Sequence, residues 1–147
     1  LAALLGMIFG TAGLVIGILN YLRDRINIKA TLQWDMAAYG NFSDDPNKLW
    51  GVITVTNAGR RTAYISHISL KLPKHSKDYS HLLLREGIAG QKLAEGDPPA
   101  YFQINQDGLE NYSKYWRKIC AEVSVSTGKK VYSKRIKKTP SWAKPPP

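Results

Sequence analysis

The residues able to do chemistry are few, and their spacing limits what they can do. Histidine occurs only at 67, 75 and 81, and cysteine only at Cys120. A zinc site needs three or four ligands converging on one point. Here His75 and His81 bracket the polar stretch KHSKDYSH, and His67 alternates within a strand-like run. A satisfied strand histidine is therefore expected, with no metal and no other cofactor. Asp44 and Asp45 are neighbours in a turn-forming stretch, whereas acid–base work needs two carboxyls facing one reacting atom. The run Gly87-Ile88-Ala89-Gly90-Gln91-Lys92 lacks the length of a phosphate loop and the hydroxyl residue after its lysine, and no Gly-x-Ser-x-Gly elbow is present. Asn41-Phe42-Ser43 and Asn111-Tyr112-Ser113 match a glycosylation acceptor pattern that recurs by chance. Cys120 shares a strand face with Glu122 and Ser124 and is expected to be exposed but inert, because no base is placed to form its thiolate. The single cysteine also excludes a scaffold held by intrachain disulfides. A protein that is not an enzyme is the expectation.

What remains is charge. The net charge of +10 is uneven: residues 1–22 carry none, residues 30–128 hold eleven bases against ten acids, and residues 129–147 hold seven bases and no acid. Arg23 and Arg25 add to the excess near the N-terminal end, and Lys129, Lys130, Lys134, Arg135, Lys137 and Lys138 at the other. Three readings suit the basic end. One is a lysine-guarded edge strand followed by a disordered tail. Another is contact of these lysines and arginines with anionic lipid or a partner. Nucleic-acid binding is the least favoured, since no nucleic-acid-binding module accompanies the charge.

These side chains need a scaffold, and its first element is a membrane segment. Residues 1–22 carry no charged side chain, and a helix of that length spans roughly 33 Å, enough for a hydrocarbon core of about 30 Å. A single-pass transmembrane helix is expected, the alternative being a cleaved signal peptide. Arg23 and Arg25 follow the span directly, which predicts an inner (cytoplasmic) membrane protein with its soluble domain in the cytoplasm; the alternative places that domain in the periplasm. Gly6, Gly10, Gly13, Gly17 and Asn20 recur at steps of three or four and share one helical face. Such a face lets a second helix approach closely, so a homo-oligomer or packing against another membrane helix is expected.

Past residue 25 the period changes from helical to alternating. Ile26, Ile28, Ala30, Leu32, Trp34 and Met36 form one face of a strand, and further strands are expected at 50–56, 62–72, 82–84, 91–93, 101–105, 121–125 and 131–136. Leu109, Tyr112, Trp116 and Ile119 predict a short amphipathic helix, opened by Asp107 as its cap, before the penultimate strand. The expected core contains Trp34, Val55, Ile65, Ile68, Leu70, Phe102, Val123 and Val125. The organisation is a transmembrane helix at 1–22, an antiparallel β-sandwich of about seven strands at 23–138, and a Pro-rich basic tail at 139–147.

Three stretches carry a resemblance: ITVTNAGRRTAYISHISL (Ile53 to Leu70), LAEGDPPAYFQI (Leu93 to Ile104) and EVSVSTGKKVYSKR (Glu122 to Arg135). With their Asn-x-Gly turn, Leu-x-x-Gly-acid turn and Gly-containing hairpin, they resemble immunoglobulin-like modules of bacterial membrane-anchored and envelope proteins. The longer helix and the lack of paired cysteines depart from that pattern. The resemblance implies an immunoglobulin-like sandwich and no activity. The functional expectation is a membrane-anchored interaction or assembly protein with a protein partner. The alternative is a periplasm-facing, signal-anchored envelope factor or a phage- or plasmid-encoded exclusion factor.

Overall fold

A computed structural model of the chain describes residues 2–37, 47–74, 79–84 and 90–143. Asn41-Phe42-Ser43, Asp44, Asp45, His75, Gly87 and Lys144 lie outside the described residues. Helix α1 (Ala2–Arg23) leads into β1 (Ile28–Ala37). Then follow β2 (Leu49–Asn57), β3 (Ala63–Lys71), β4 (His81–Leu83), β5 (Gln91–Leu93), β6 (Ala100–Asn105), β7 (Cys120–Val125) and β8 (Lys130–Tyr132). The protein is mainly β, with an apolar N-terminal helix followed by antiparallel sheets. One sheet has the order β1-β2-β6; the other runs β4-β3-β7-β8, with β5 also paired to β3. All eight expected core residues are buried, in one cluster fed by both sheets.

Two bulges set which side chains enter that core. In β3 the register against β7 steps from Ile65↔Val125 to His67↔Ser124. The extra residue lets Ile65 and Ile68 both point inward although their numbers differ in parity. In β1 the pairing with β2 jumps from Gln33↔Val52 to Met36↔Trp50, and Asp35 there has φ 59°. Alternation breaks at that point. Met36, expected inside, is 41% exposed. Gly51 faces the bulge because a Cβ on it would lie 2.5 Å from the Trp34 ring.

The helix before β7 also departs from expectation. Leu109–Lys118 is a 3-10 helix whose N-cap is Gly108 (φ 88°), with no side-chain cap. The Asp107 carboxylate is drawn instead to Lys48 Nζ, 2.9 Å away. Strand β8 ends at Tyr132 rather than 136.

Chain beyond β8 climbs to the far end of β1 and is bound there. Ser141 donates its backbone N–H to Asp35 Oδ2 at 2.9 Å and its hydroxyl to Asp35 Oδ1. The 3-10 turn Ser141–Ala143 puts Trp142 edge-on against Trp34, with ring centroids 5.4 Å apart, and Pro140 is buried too. A wholly disordered tail is thereby corrected: two tryptophans supply the apolar area that prolines alone do not. Replacing Trp142 with Ala should cost about 3 kcal/mol in urea unfolding, as large-to-small core changes do. Lys138→Ala, on the same segment, should stay within about 0.5 kcal/mol.

Candidate functional site

The glycine face of α1 is open. A Cβ added at Gly6, Gly10, Gly13 or Gly17 would meet nothing within 4 Å, and no residue of α1 is buried within the protein. Asn20 lies one turn before the helix end, its carbonyl accepting from the Asp24 N–H at 2.9 Å. By length and composition the helix is apolar enough to cross a membrane.

At the foot of α1 the chain is clamped to three turns. Asn57 closes the first: its Oδ1 accepts from the Gly59 N–H at 3.0 Å, and its Nδ2 donates to the carbonyls of Arg61 and Leu93. Glycine is required at 59, because a Cβ there would sit on the Arg25 carbonyl oxygen and 2.7 Å from Asn27 N. Ala58 N–H donates to the Asn27 carbonyl at 2.8 Å, and Arg60 reaches Asp24 at 3.7 Å and Glu95 at 3.9 Å. In the second turn Asp97 accepts from the Ala94 N–H at 2.7 Å. The third, the β7–β8 hairpin with Gly128 at φ 83°, brings Lys129 Nζ to the Ile26 carbonyl at 3.3 Å. Arg25 stacks over the Tyr21 ring at 4.7 Å. Arg23, Arg25, Arg60, Arg61 and Lys129 therefore share one end of the domain, with Asp24, Glu95 and Asp97 among them. Sequence reading missed Arg60 and Arg61. The NAGRR turn that carries them was legible, but its contact with the helix foot is long-range.

The basic C-terminal segment does not act as one unit. Lys129 stays at the helix foot. Lys130 is committed to Glu122, 3.1 Å away, on the outer face of the five-stranded sheet. Ser133 N–H then bonds the Ala121 carbonyl, and the chain carrying Lys134, Arg135, Lys137 and Lys138 leads on to Ser141 at the far end. From Ile28 to Asp35, β1 covers about 25 Å at the usual rise per residue. That is well beyond a Debye length of about 8 Å.

Glu122, expected on an exposed face with Cys120 and Ser124, is only 2% exposed. Strands β3 and β8 flank β7, and side chains from β4, beyond β3, and from β8 lean over it: His81 Nε2 lies 3.1 Å from one Glu122 oxygen and Lys130 Nζ 3.1 Å from the other. Burial pushes the Glu122 carboxyl up, but the hydrogen bonds and charges of Lys130 and His81 outweigh it and hold it below the ordinary glutamate value. The Glu122 carboxylate raises Lys130 in turn. Ser124 Oγ lies 2.9 Å from His67 Nε2, while His67 Nδ1 faces Ser66 Oγ at 3.5 Å rather than a carboxylate. This is the satisfied strand histidine that the spacing predicts. Cys120 is half-buried, and burial pushes its thiol up, opposite to thiolate activation. Among the described residues no group of His, Cys, Asp and Glu is arranged to hold a metal ion.

Because the Glu122 value is lowered on folding, its contribution to stability is complete above the unfolded-state glutamate value and is lost as pH falls through the folded one. Glu122→Ala should cost about 1–3 kcal/mol at pH 7. The variant's stability should also fall less steeply than wild type between about pH 5 and 3, measured by urea unfolding at each pH. Parallel acid limbs for the two proteins would rule out this role. No protein-family model matches the chain, and no curated protein matches it.

Proposed function

We propose that the chain is a non-enzymatic, single-pass membrane protein that holds a small, immunoglobulin-like sandwich at the membrane surface to engage a protein partner. One observation carries this reading. Helix α1 is apolar along its length with nothing of it buried by the domain, and its foot is fastened to the sandwich by Arg60–Asp24, Ala58–Asn27 and Lys129–Ile26. Leaving such a helix in water would expose far more contiguous apolar surface than soluble proteins tolerate. The cations at the foot stand where a headgroup layer meets the helix end, each contributing about 1 kcal/mol with anionic lipid. They favour the cytoplasmic side under the positive-inside rule. Assembly runs through the glycine face of α1, where close backbone approach supplies the packing that lipid does not.

The full chain should pellet with membranes and resist carbonate extraction, and a C-terminal tag should be shielded from protease in intact cells. Recovery of a soluble chain starting near Arg23 would identify the segment as a cleaved leader, and digestion of the tag without lysis would place the domain in the periplasm. Gly10→Ile and Gly13→Ile should reduce crosslinking between copies in bilayers, while Val15→Ile on another face changes little. Equal crosslinking for all three would remove the glycines from assembly.

A further inference from the structure

The outer face of the five-stranded sheet, at its end away from α1, gathers cations from three stretches of chain. Lys71 closes β3 and stands opposite Cys120, the first residue of β7. Arg117 and Lys118 end the 3-10 helix that runs into β7. Past β8, Ser133 turns inward, its hydroxyl accepting from the Ala121 N–H at 2.9 Å, and Lys134 and Arg135 follow it. These five side chains are exposed, as is Lys74 just beyond Lys71. Two of the cations converge on Cys120: burial pushes its thiol up, and Lys71 and Arg135 pull against that rise. Acids do not offset the group. Among the described residues Glu122 is the acid on this face, and His81 and Lys130 already hold it. Glu110 opens the 3-10 helix eight residues before Lys118, about 16 Å away along the helix axis.

A surface with this charge selects an anion, and its position and its rings select the kind. Lys71 stands eight residues, about 26 Å, up β3 from Ala63, which pairs with Leu93 beside the helix foot. Lipid of the anchoring membrane is therefore about three Debye lengths away. Single-stranded nucleic acid takes much of its affinity from bases stacked on aromatic rings. Here Trp116 packs against the core and carries Arg117 over its ring at 5.1 Å, while Tyr132 carries Lys71 over its ring at 4.6 Å. Those rings already hold cations. Carboxylates need cations and no stacking, and an acidic segment sets them on flexible stems that can meet lysines and arginines from separate elements. We infer that this corner binds an acidic segment of a protein partner, whose carboxylates pair with Lys71, Lys118 and Arg135 around Cys120. Such complementarity sets association rate and partner choice. The inference rests on reading the domain as an interaction module and deepens it by naming the partner's chemistry.

The test uses the full chain in nanodiscs of phosphatidylcholine, which offer no competing anionic lipid, and a fluorescein-labelled peptide of alternating Glu and Gly followed by polarisation. Saturable binding is expected, and it should weaken as salt rises. Lys71→Gln and Arg135→Gln should each reduce affinity about threefold, the size of one exposed ion pair. Lys29→Gln removes the same charge from the exposed face of β1 in the other sheet and should leave affinity level. Cys120 is the chain's single cysteine, so its alkylation by neutral iodoacetamide reports on this corner alone and should slow under saturating peptide. Equal losses for the three variants, with Cys120 unprotected, would overturn the corner in favour of diffuse surface charge. Tighter binding of an oligothymidine, with the same dependence on Lys71 and Arg135, would overturn the acidic polypeptide in favour of nucleic acid. Carbonate extraction, read separately, tests the anchor: release from membranes with site-dependent peptide binding intact refutes the anchor and leaves the corner standing.

Discussion

The far half of the domain depends on the bulge at Trp34 and Asp35. A non-glycine residue at φ 59° costs on the order of 1 kcal/mol, and the hydrogen bonds that Ser141 donates to the Asp35 carboxylate offset it. Just ahead of the register step, Trp34 enters the core in phase with Ile28, Ala30 and Leu32, and its ring excludes any side chain from position 51. Met36 is turned outward by the same step. Trp142 then has a surface to pack on, and the C-terminal segment becomes a wall of the sandwich. Without the bulge, Asp35 and Ser141 would not meet.

Chain direction turns an uneven charge distribution into a polar molecule. Strand β7 descends toward the helix foot, the Gly128 hairpin reverses it, and the chain from β8 onward climbs away. One contiguous basic stretch in sequence is thus divided between opposite ends. Lys129 joins Arg25, Arg60 and Arg61 at the helix foot; Lys130 is spent on a buried carboxylate; the remaining cations accompany the climb toward Ser141. The cations at the helix foot and those that approach Ser141 are consequently separated by about three Debye lengths, and each group can change without the other.

Much of this was legible in the sequence, and the exceptions share a cause. The alternating runs of β1, β2 and β7 located the strands because one face of each is buried, and Asn57, Gly96 and Gly128 marked turns by local backbone chemistry alone. Bulges defeated the pattern. Ile65 and Ile68 conflict in parity, and that conflict was itself the signal of an inserted residue in β3. Met36 continued the even-numbered face of β1 with no local sign of interruption, because what flips it is contact between Asp35 and Ser141, 106 residues apart. Glu122 was misplaced for a similar reason. Its burial comes from His81 and Lys130, brought over it by two other strands. The candidate site was legible only in part: the glycines of α1 and Arg23 and Arg25 show in spacing and charge, whereas Arg60 and Lys129 reach the helix foot through long-range contacts that only the fold makes.

The distribution of buried unpaired groups separates the two ends of the domain. Among the described residues the buried side-chain polar atoms lacking a partner belong to Trp34, Trp50, Ser69, Gln106 and Trp142. Ser69 sits in the outer-face network beside Glu122; the other four lie at the far end. At the helix foot, Asn57 satisfies three groups with one side chain, and Lys129 and Ala58 supply donors to the junction. A domain of this size has about 5–15 kcal/mol of net stability, so several orphan donors in one place are a substantial fraction of it. Three of the five are indole N–H groups, of Trp34, Trp50 and Trp142, because a tryptophan placed for its apolar area brings one donor into the interior with it, so the aromatic packing that closes the far end is also what leaves donors there unpaired.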